Sequence, residues 1–242
     1  ALRLGIRLKT ADDLAPAMDA VLKDYHAAGA VGFKFVAMPW RMPASREIKD
    51  AWRRRDRRAG RAAAAPGGGD FVLRLLLLAR TAAIAAELGV PVALHTGAPW
   101  TNWLDFRAWE PTGLVMLLQT FRETRFDLYH AGIPYVTEFS MLGKTFPNAW
   151  LNLCWTHIIS ETLARRAIGE WLDLVPVNKA LAFGGDYHNR TVPLTFGHLA
   201  MARMNMAAVL AARVRDRRMD EESAAEIMRA WFRDNPVALY GV

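Results

Sequence analysis

Short apolar runs alternate along this chain with longer stretches in which apolar residues return every third or fourth position. The first kind of run predicts strands and the second predicts helices. Their alternation predicts repeated βα units around a parallel sheet. Residues 2–8 alternate apolar and other side chains, as a strand does, and residues 31–36 form an apolar run that carries Lys34. Residues 92–97 end in Leu94-His95-Thr96-Gly97, residues 126–132 in Tyr129-His130-Ala131-Gly132, and residues 181–186 in Gly184-Gly185-Asp186. A further run, residues 149–157, leads into Trp155 and His157.

The intervening stretches carry helix signals. Thr10, Asp12 and Asp13 offer N-cap chemistry for a helix that ends near Ala28 and Gly29. Helices are expected over 71–88, 113–124, 136–142, 160–174 with Ser160 as cap, 194–215 and 221–234. Asn235-Pro236 is expected to stop the last of them. Six strands with helices between them predict an α/β fold of the (β/α)8 TIM-barrel type, incomplete because a closed barrel has eight strands. The two further strands are expected before Ala1. Residues 1–242 read as one barrel domain. Its largest interruption is an excursion at about residues 38–70, rich in arginine and glycine, which is expected to run over the face where the strands end.

That topology gives the strand ends a meaning. In a parallel barrel all strand C-termini open on one face, so residues far apart in sequence converge there. His95, His130 and Asp186 each end a strand, and two imidazoles with one carboxylate are a set suited to a divalent metal. A lone His95 would read as a core histidine bonded to a carbonyl; His130, at the equivalent point one βα unit later, favours ligation. Asp186 reads either as a turn carboxylate or as a ligand and base, and Gly184-Gly185 lets its backbone approach a ligand closely. Lys34 must carry its ammonium to the barrel mouth or to a partner. There it would bind an anionic substrate or, if carbamylated, a metal. Trp155 and His157 are candidate pocket walls, and His188 a candidate substrate contact. Trp100, Trp103, Phe106 and Trp109 would form a packed lid or line a pocket. His26 and His198 fall on expected helices and read as structural.

Composition narrows the classes. Of the 242 residues 52% are hydrophobic, enough for a substantial core, yet no apolar run reaches membrane-spanning length because Arg74 and Arg80 interrupt the greasiest stretch. One cysteine, Cys154, excludes an internal disulfide framework and a thiolate zinc cluster, and points to the cytoplasm. The net charge of +7 is concentrated in the arginines between Arg53 and Arg61, which read as a solvated face or as a binding patch or subunit contact. Nucleic acid is disfavoured as a partner. A small-molecule substrate and a homo-oligomer are expected.

The stretches Leu94-His95-Thr96-Gly97, Tyr129-His130-Ala131-Gly132 and Phe183-Gly184-Gly185-Asp186-Tyr187, in this order and spacing, resemble the amidohydrolase superfamily. The closer resemblance is to its amidohydrolase-related branch of metal-dependent TIM-barrel hydrolases. Trp155-Thr156-His157-Ile158-Ile159-Ser160, residues 171–179 and Met201-Ala202-Arg203 add to it, and Gly32-Phe33-Lys34 is similar to a strand of bacterial members grouped with uronate isomerases. The resemblance implies that His95 is a metal ligand and that His130 binds a second metal or polarises the substrate. It makes Asp186 a ligand and proton shuttle, and places Lys34 where some branches carry a bridging lysine. The implied cofactor is a divalent ion, Zn2+ before Mn2+. The family also opens with a His-x-His pair, which this sequence lacks; the strand count places that pair upstream.

The expected activity is hydrolysis of an amide, ester or lactone by metal-activated water, with Asp186 and His130 as catalytic groups. A uronate-isomerase-like or decarboxylase reaction at the same site is the alternative. A reading of another class is a catalytically impaired barrel fragment that serves in binding or assembly.

Overall fold

The computed structural model describes residues 5–36, 38–55, 69–97, 103, 105–187 and 192–242. Its centre is a five-stranded parallel sheet in sequence order: β1 (Phe33–Val36), β2 (Val92–His95), β3 (Phe126–Leu128), β4 (Ala149–Asn152) and β5 (Ala180–Leu181). Helices α1 (Leu14–Ala27), α2 (Ser45–Arg55) and α3 (Gly69–Leu88) flank β1, while α4 (Val115–Thr120) precedes β3 and α5 (Val136–Thr145) follows it. Helices α6 (Thr156–Ile159) and α7 (Glu161–Leu174) lead from β4 toward β5. The chain closes with α8 (Val192–Arg215), α9 (Glu221–Arg229), a π-helical turn Ala230–Asp234 and α10 (Asn235–Tyr240). This is the α/β, partial TIM-barrel architecture that the alternation predicts.

The register sorts the side chains. Phe33, Val92, Phe126 and Ala149 form one rung across the sheet, and Phe35, Leu94, Leu128, Leu151 and Ala180 another. Successive side chains of a strand alternate faces, so both rungs point the same way. They join Leu75, Leu78, Ile168, Trp171 and Trp231 in the main core beneath the helices. The intervening rungs, Lys34-Ala93-Asp127-Trp150 and Val36-His95, with Asn152-Leu181, point to the opposite face. Every charged or imidazole side chain of the five strands therefore lies on that inner face.

Local chemistry explains the element ends. The Ser160 side chain accepts from the Leu163 N–H and starts α7, and Asp220 does the same for α9 through Ser223. The buried Lys179 ammonium donates to the carbonyls of Gly143 and Phe146 at the end of α5. Burial holds its pKa down to about 8. Within the π-helical turn the Trp231 carbonyl accepts from Ala182 N–H at 2.9 Å, which ties the closing helices to the end of β5.

Three expectations are corrected. Residues 5–8 form a turn and open chain rather than a strand, and residues 1–4 lie outside the described residues, so five strands stand among the described residues where six were expected. Pro236 does not stop the last helical region. It occupies the first turn of α10, where a missing N–H costs no helical bond. The expected helix over 113–124 is a 3-10 turn, Pro111–Leu114, followed by the short α4. The excursion at about residues 38–70 contains α2, which carries Arg53 to Arg55, while residues 56–68, with Arg57, Arg58 and Arg61, lie outside the described residues. No helix among the described residues is long and apolar enough to cross a membrane.

Candidate metal centre

The site is built at the C-terminal ends of the strands. His95 is the last residue of β2, and His130 opens the 3-10 turn His130–Gly132 just after β3. Asp186 lies beyond β5 in open chain. The chain enters the left-handed backbone region at each of these ends: Gly97 after β2, His130 after β3, Trp155 after β4 and Asp186 after β5, with φ of 57°, 67°, 58° and 45°. For a residue with a Cβ that conformation costs roughly 1–2 kcal/mol. Such strain concentrates where function fixes the geometry. Gly97 has a packing reason as well, because a Cβ there would collide with the Ile133 carbonyl. The Thr96 hydroxyl donates to the Tyr129 carbonyl and ties the ends of β2 and β3 together.

These turns bring the three predicted ligands to one point. One ligating atom from each of His95, His130 and Asp186 lies within 4.8 Å of the others. His130 Nε2 is 2.8 Å from His95 Nδ1 and 3.9 Å from Asp186 Oδ2. The other nitrogen of His130, Nδ1, lies 2.7 Å from the Cys154 carbonyl, an acceptor only, so Nδ1 carries the proton. That leaves the Nε2 lone pair facing His95 and Asp186. A ligating imidazole oriented by a carbonyl on its far nitrogen is the arrangement a metal needs. Burial lowers the pKa of His130 and so favours the neutral form that a ligand needs. The donor set and its orientation fit a divalent cation.

Around this centre, the Lys34 ammonium pairs with Asp186 Oδ1 and stands 5.0 Å above the Tyr129 ring. Trp109 meets His95 edge to face at 5.6 Å, so it alone among the four lid aromatics touches a predicted ligand in the described residues. Trp103 is fully exposed, Phe106 approaches Tyr135, and Trp100 lies outside the described residues. Trp155 is half-buried; its indole N–H donates to the Gly185 carbonyl at 2.6 Å and its ring meets Tyr187.

His157 is not a pocket wall. It is buried, its Nε2 faces the Ala182 carbonyl at 2.9 Å, and its Nδ1 faces the Asn205 amide at 3.3 Å. The left-handed turn at Trp155 swings the following helix so that residue 157 points into the layer beneath α8. His188 lies outside the described residues.

Sequence reasoning missed a set of polar residues on the inner face. Asp127 is wholly buried, accepting from Tyr240 Oη at 2.5 Å and from Asn152 Nδ2 at 3.1 Å. Burial raises its pKa to about 7 against the lowering effect of those two bonds. The signal was available for Asp127, a charge inside an apolar run just as Lys34 is. No short-range pattern announces Tyr240, more than a hundred residues away.

Comparison with known proteins agrees with this fold. A family model described as amidohydrolase matches residues 10–242. The fold superposes on a Lactobacillus casei ATCC 334 protein provisionally described as a metal-dependent hydrolase, with a TM-score of 0.77 and 19% identity, over 96% of this chain and 63% of that one. It superposes on the uronate isomerase of Thermotoga maritima with a TM-score of 0.74 and 16% identity, over 96% of this chain and 54% of that one. Protein fluG of Emericella nidulans is 28% identical over 113 residues, 46% of this chain and 13% of its own length. The chain thus spans little more than half to nearly two thirds of these solved structures and a small part of the curated relative. With the family model matched over residues 10–242, nearly all of the chain, the chain belongs to the amidohydrolase family.

Proposed function

We propose that this chain carries part of the active site of a metal-dependent hydrolase that cleaves a C–N or C–O bond of a small polar substrate. The convergence of His95, His130 and Asp186 within 4.8 Å, with the His130 lone pair aimed inward, carries this reading. These three residues would hold the cation, Zn2+ as first choice and Mn2+ as second. Such a cation supplies Lewis acidity, which makes water acidic enough to serve as a nucleophile near neutral pH.

The chain's own groups divide the remaining work. Asp186 accepts the proton of the attacking water, being a carboxylate at the edge of the site. With its Nδ1–H given to the Cys154 carbonyl, His130 would act on the developing charge of the substrate oxygen only by helping to hold the cation. Lys34 orients Asp186 through its ion pair and would offer its ammonium to a substrate anion. Trp155, and His188 beyond the described residues, remain the proposed substrate contacts. The single buried thiol of Cys154 suits a reducing cytoplasm, and a homo-oligomer remains part of the proposal.

The test is metal analysis of the purified protein together with His95→Ala and Asp186→Ala. Each substitution is expected to lower bound metal, and unchanged stoichiometry in both defeats the reading. Lys34 at the mouth favours one second reading, isomerisation or decarboxylation of a carboxylated sugar, in keeping with the likeness to a uronate isomerase. Turnover of uronates with no hydrolysis of amides, esters or lactones would select it. A chain that binds no metal yet folds would instead be a binding or assembly module.

A further inference from the structure

The turn that follows β4 touches both sides of the proposed centre. Asn152, the last residue of β4, is buried, and its amide is used at both ends. Its Nδ2 donates to Asp127 Oδ2 at 3.1 Å, and its Oδ1 accepts from the Cys154 N–H at 2.9 Å. The Cys154 partner does not tolerate the reversed amide, because a peptide N–H only donates and would face a second donor. This contact holds the Leu153–Cys154 peptide unit; the next unit is held by the Trp155 N–H, which donates to the Gly184 carbonyl at 3.4 Å, and its Cys154 carbonyl accepts from His130 Nδ1 at 2.7 Å. The next residue works in the other direction. The Trp155 indole N–H donates to the Gly185 carbonyl at 2.6 Å, immediately before Asp186. The two segments lie so close that a Cβ on Gly184 would stand 2.8 Å from Cys154 Cβ.

We infer that this turn is the frame that sets the tautomer of His130 and the place of Asp186, with Asn152 and Trp155 as positioning residues. The link to metal affinity rests on the metal-dependent reading above; the link to the tautomer does not. If the Cys154 carbonyl turns away, His130 Nδ1–H loses its acceptor. The imidazole is then free to carry its proton on Nε2 and present an N–H where a ligand needs a lone pair. Outer partners of metal-ligating histidines typically change metal affinity by about 10–100-fold.

The experiment is 15N-histidine NMR of the metal-free protein, read for the His130 tautomer, together with zinc titration of the same samples. Wild type is expected to show the Nδ1–H form. Asn152→Ala is expected to populate the Nε2–H form and weaken zinc binding by about tenfold or more. Trp155→Phe keeps the ring and removes the N–H; it is expected to weaken zinc several-fold with the His130 tautomer unchanged. Leu151→Ala is the control, since this neighbour on the same strand packs into the outer core. It should lower the melting temperature and leave tautomer and zinc affinity alone. Asn152→Ser replaces Asn152→Ala if the alanine variant does not fold. Retention of the Nδ1–H form in the Asn152 variant, or an equal change in Leu151→Ala, overturns the frame. Absence of zinc binding in wild type overturns the metal reading, while the tautomer comparison still decides the frame.

Discussion

Two pairs of buried histidines lie among the described residues, and they differ in where their lone pairs go. In the pair His95–His130, one imidazole is held by a carbonyl on its far side and turns its other nitrogen toward a second imidazole and a carboxylate. In the pair His157–His198, the rings also meet, with centroids 6.0 Å apart, but both nitrogens of His157 are consumed by the Ala182 carbonyl and the Asn205 amide. No carboxylate joins that second cluster in the described contacts. Burial lowers the pKa of His130, His157 and His198 alike, His198 to about 4. Burial and pairing therefore do not make a ligand. What sets His130 apart is a nitrogen turned toward a second imidazole and a carboxylate.

The sharpest separation of the two clusters is their opposite response to pH. Asp127, behind the first, has a folded pKa of about 7 against an ordinary 3.8. A carboxyl raised in this way stabilises the fold fully below about pH 4 and loses that contribution as pH rises toward 7. Relative to Asp127→Asn, wild type should lose up to about 4 kcal/mol across that window in denaturant titrations. Parallel pH profiles for the two proteins would dispose of the prediction.

Next in size, His130→Ala should weaken zinc binding by at least about 100-fold, since a ligand is lost rather than an outer partner. His157→Ala should leave zinc affinity unchanged and only lower stability. Calorimetric titration that finds both variants equally impaired would erase the distinction. Smaller again is the acid response of the second cluster. His198, lowered from 6.5 to about 4, stabilises the fold above about pH 6.5 and loses that contribution as pH falls through 4. Replacing it with Phe should flatten the acid limb of the melting curve by on the order of 2 kcal/mol. Smallest is Tyr240→Phe, which removes one hydrogen bond to Asp127 and should cost about 1 kcal/mol by chemical denaturation.

Much of this contrast was readable in the sequence. His95, His130 and Asp186 stand out because an apolar strand run should not end in a polar side chain without a reason, and a parallel topology brings such ends together. The caps at Ser160 and Asp220 follow the ordinary helix-start chemistry. What could not be read depends on backbone turns and distant contacts. His157 looked like a wall because nothing in Trp155-Thr156-His157 announces the left-handed residue that reverses the chain there. Asn152 gave no signal of its own, because its value lies in an aspartate 25 residues earlier and a peptide two residues later. Residues 5–8 alternate as a strand would, yet periodicity states a preference and pairing with a neighbour decides.

The left-handed corners at His130, Trp155 and Asp186 have an evolutionary corollary. At each of them glycine would relax the main chain, so drift toward a sturdier protein runs through the very positions whose side chains carry the chemistry. A homologue found with glycine at all three would be expected to melt at a higher temperature and to have given up this centre.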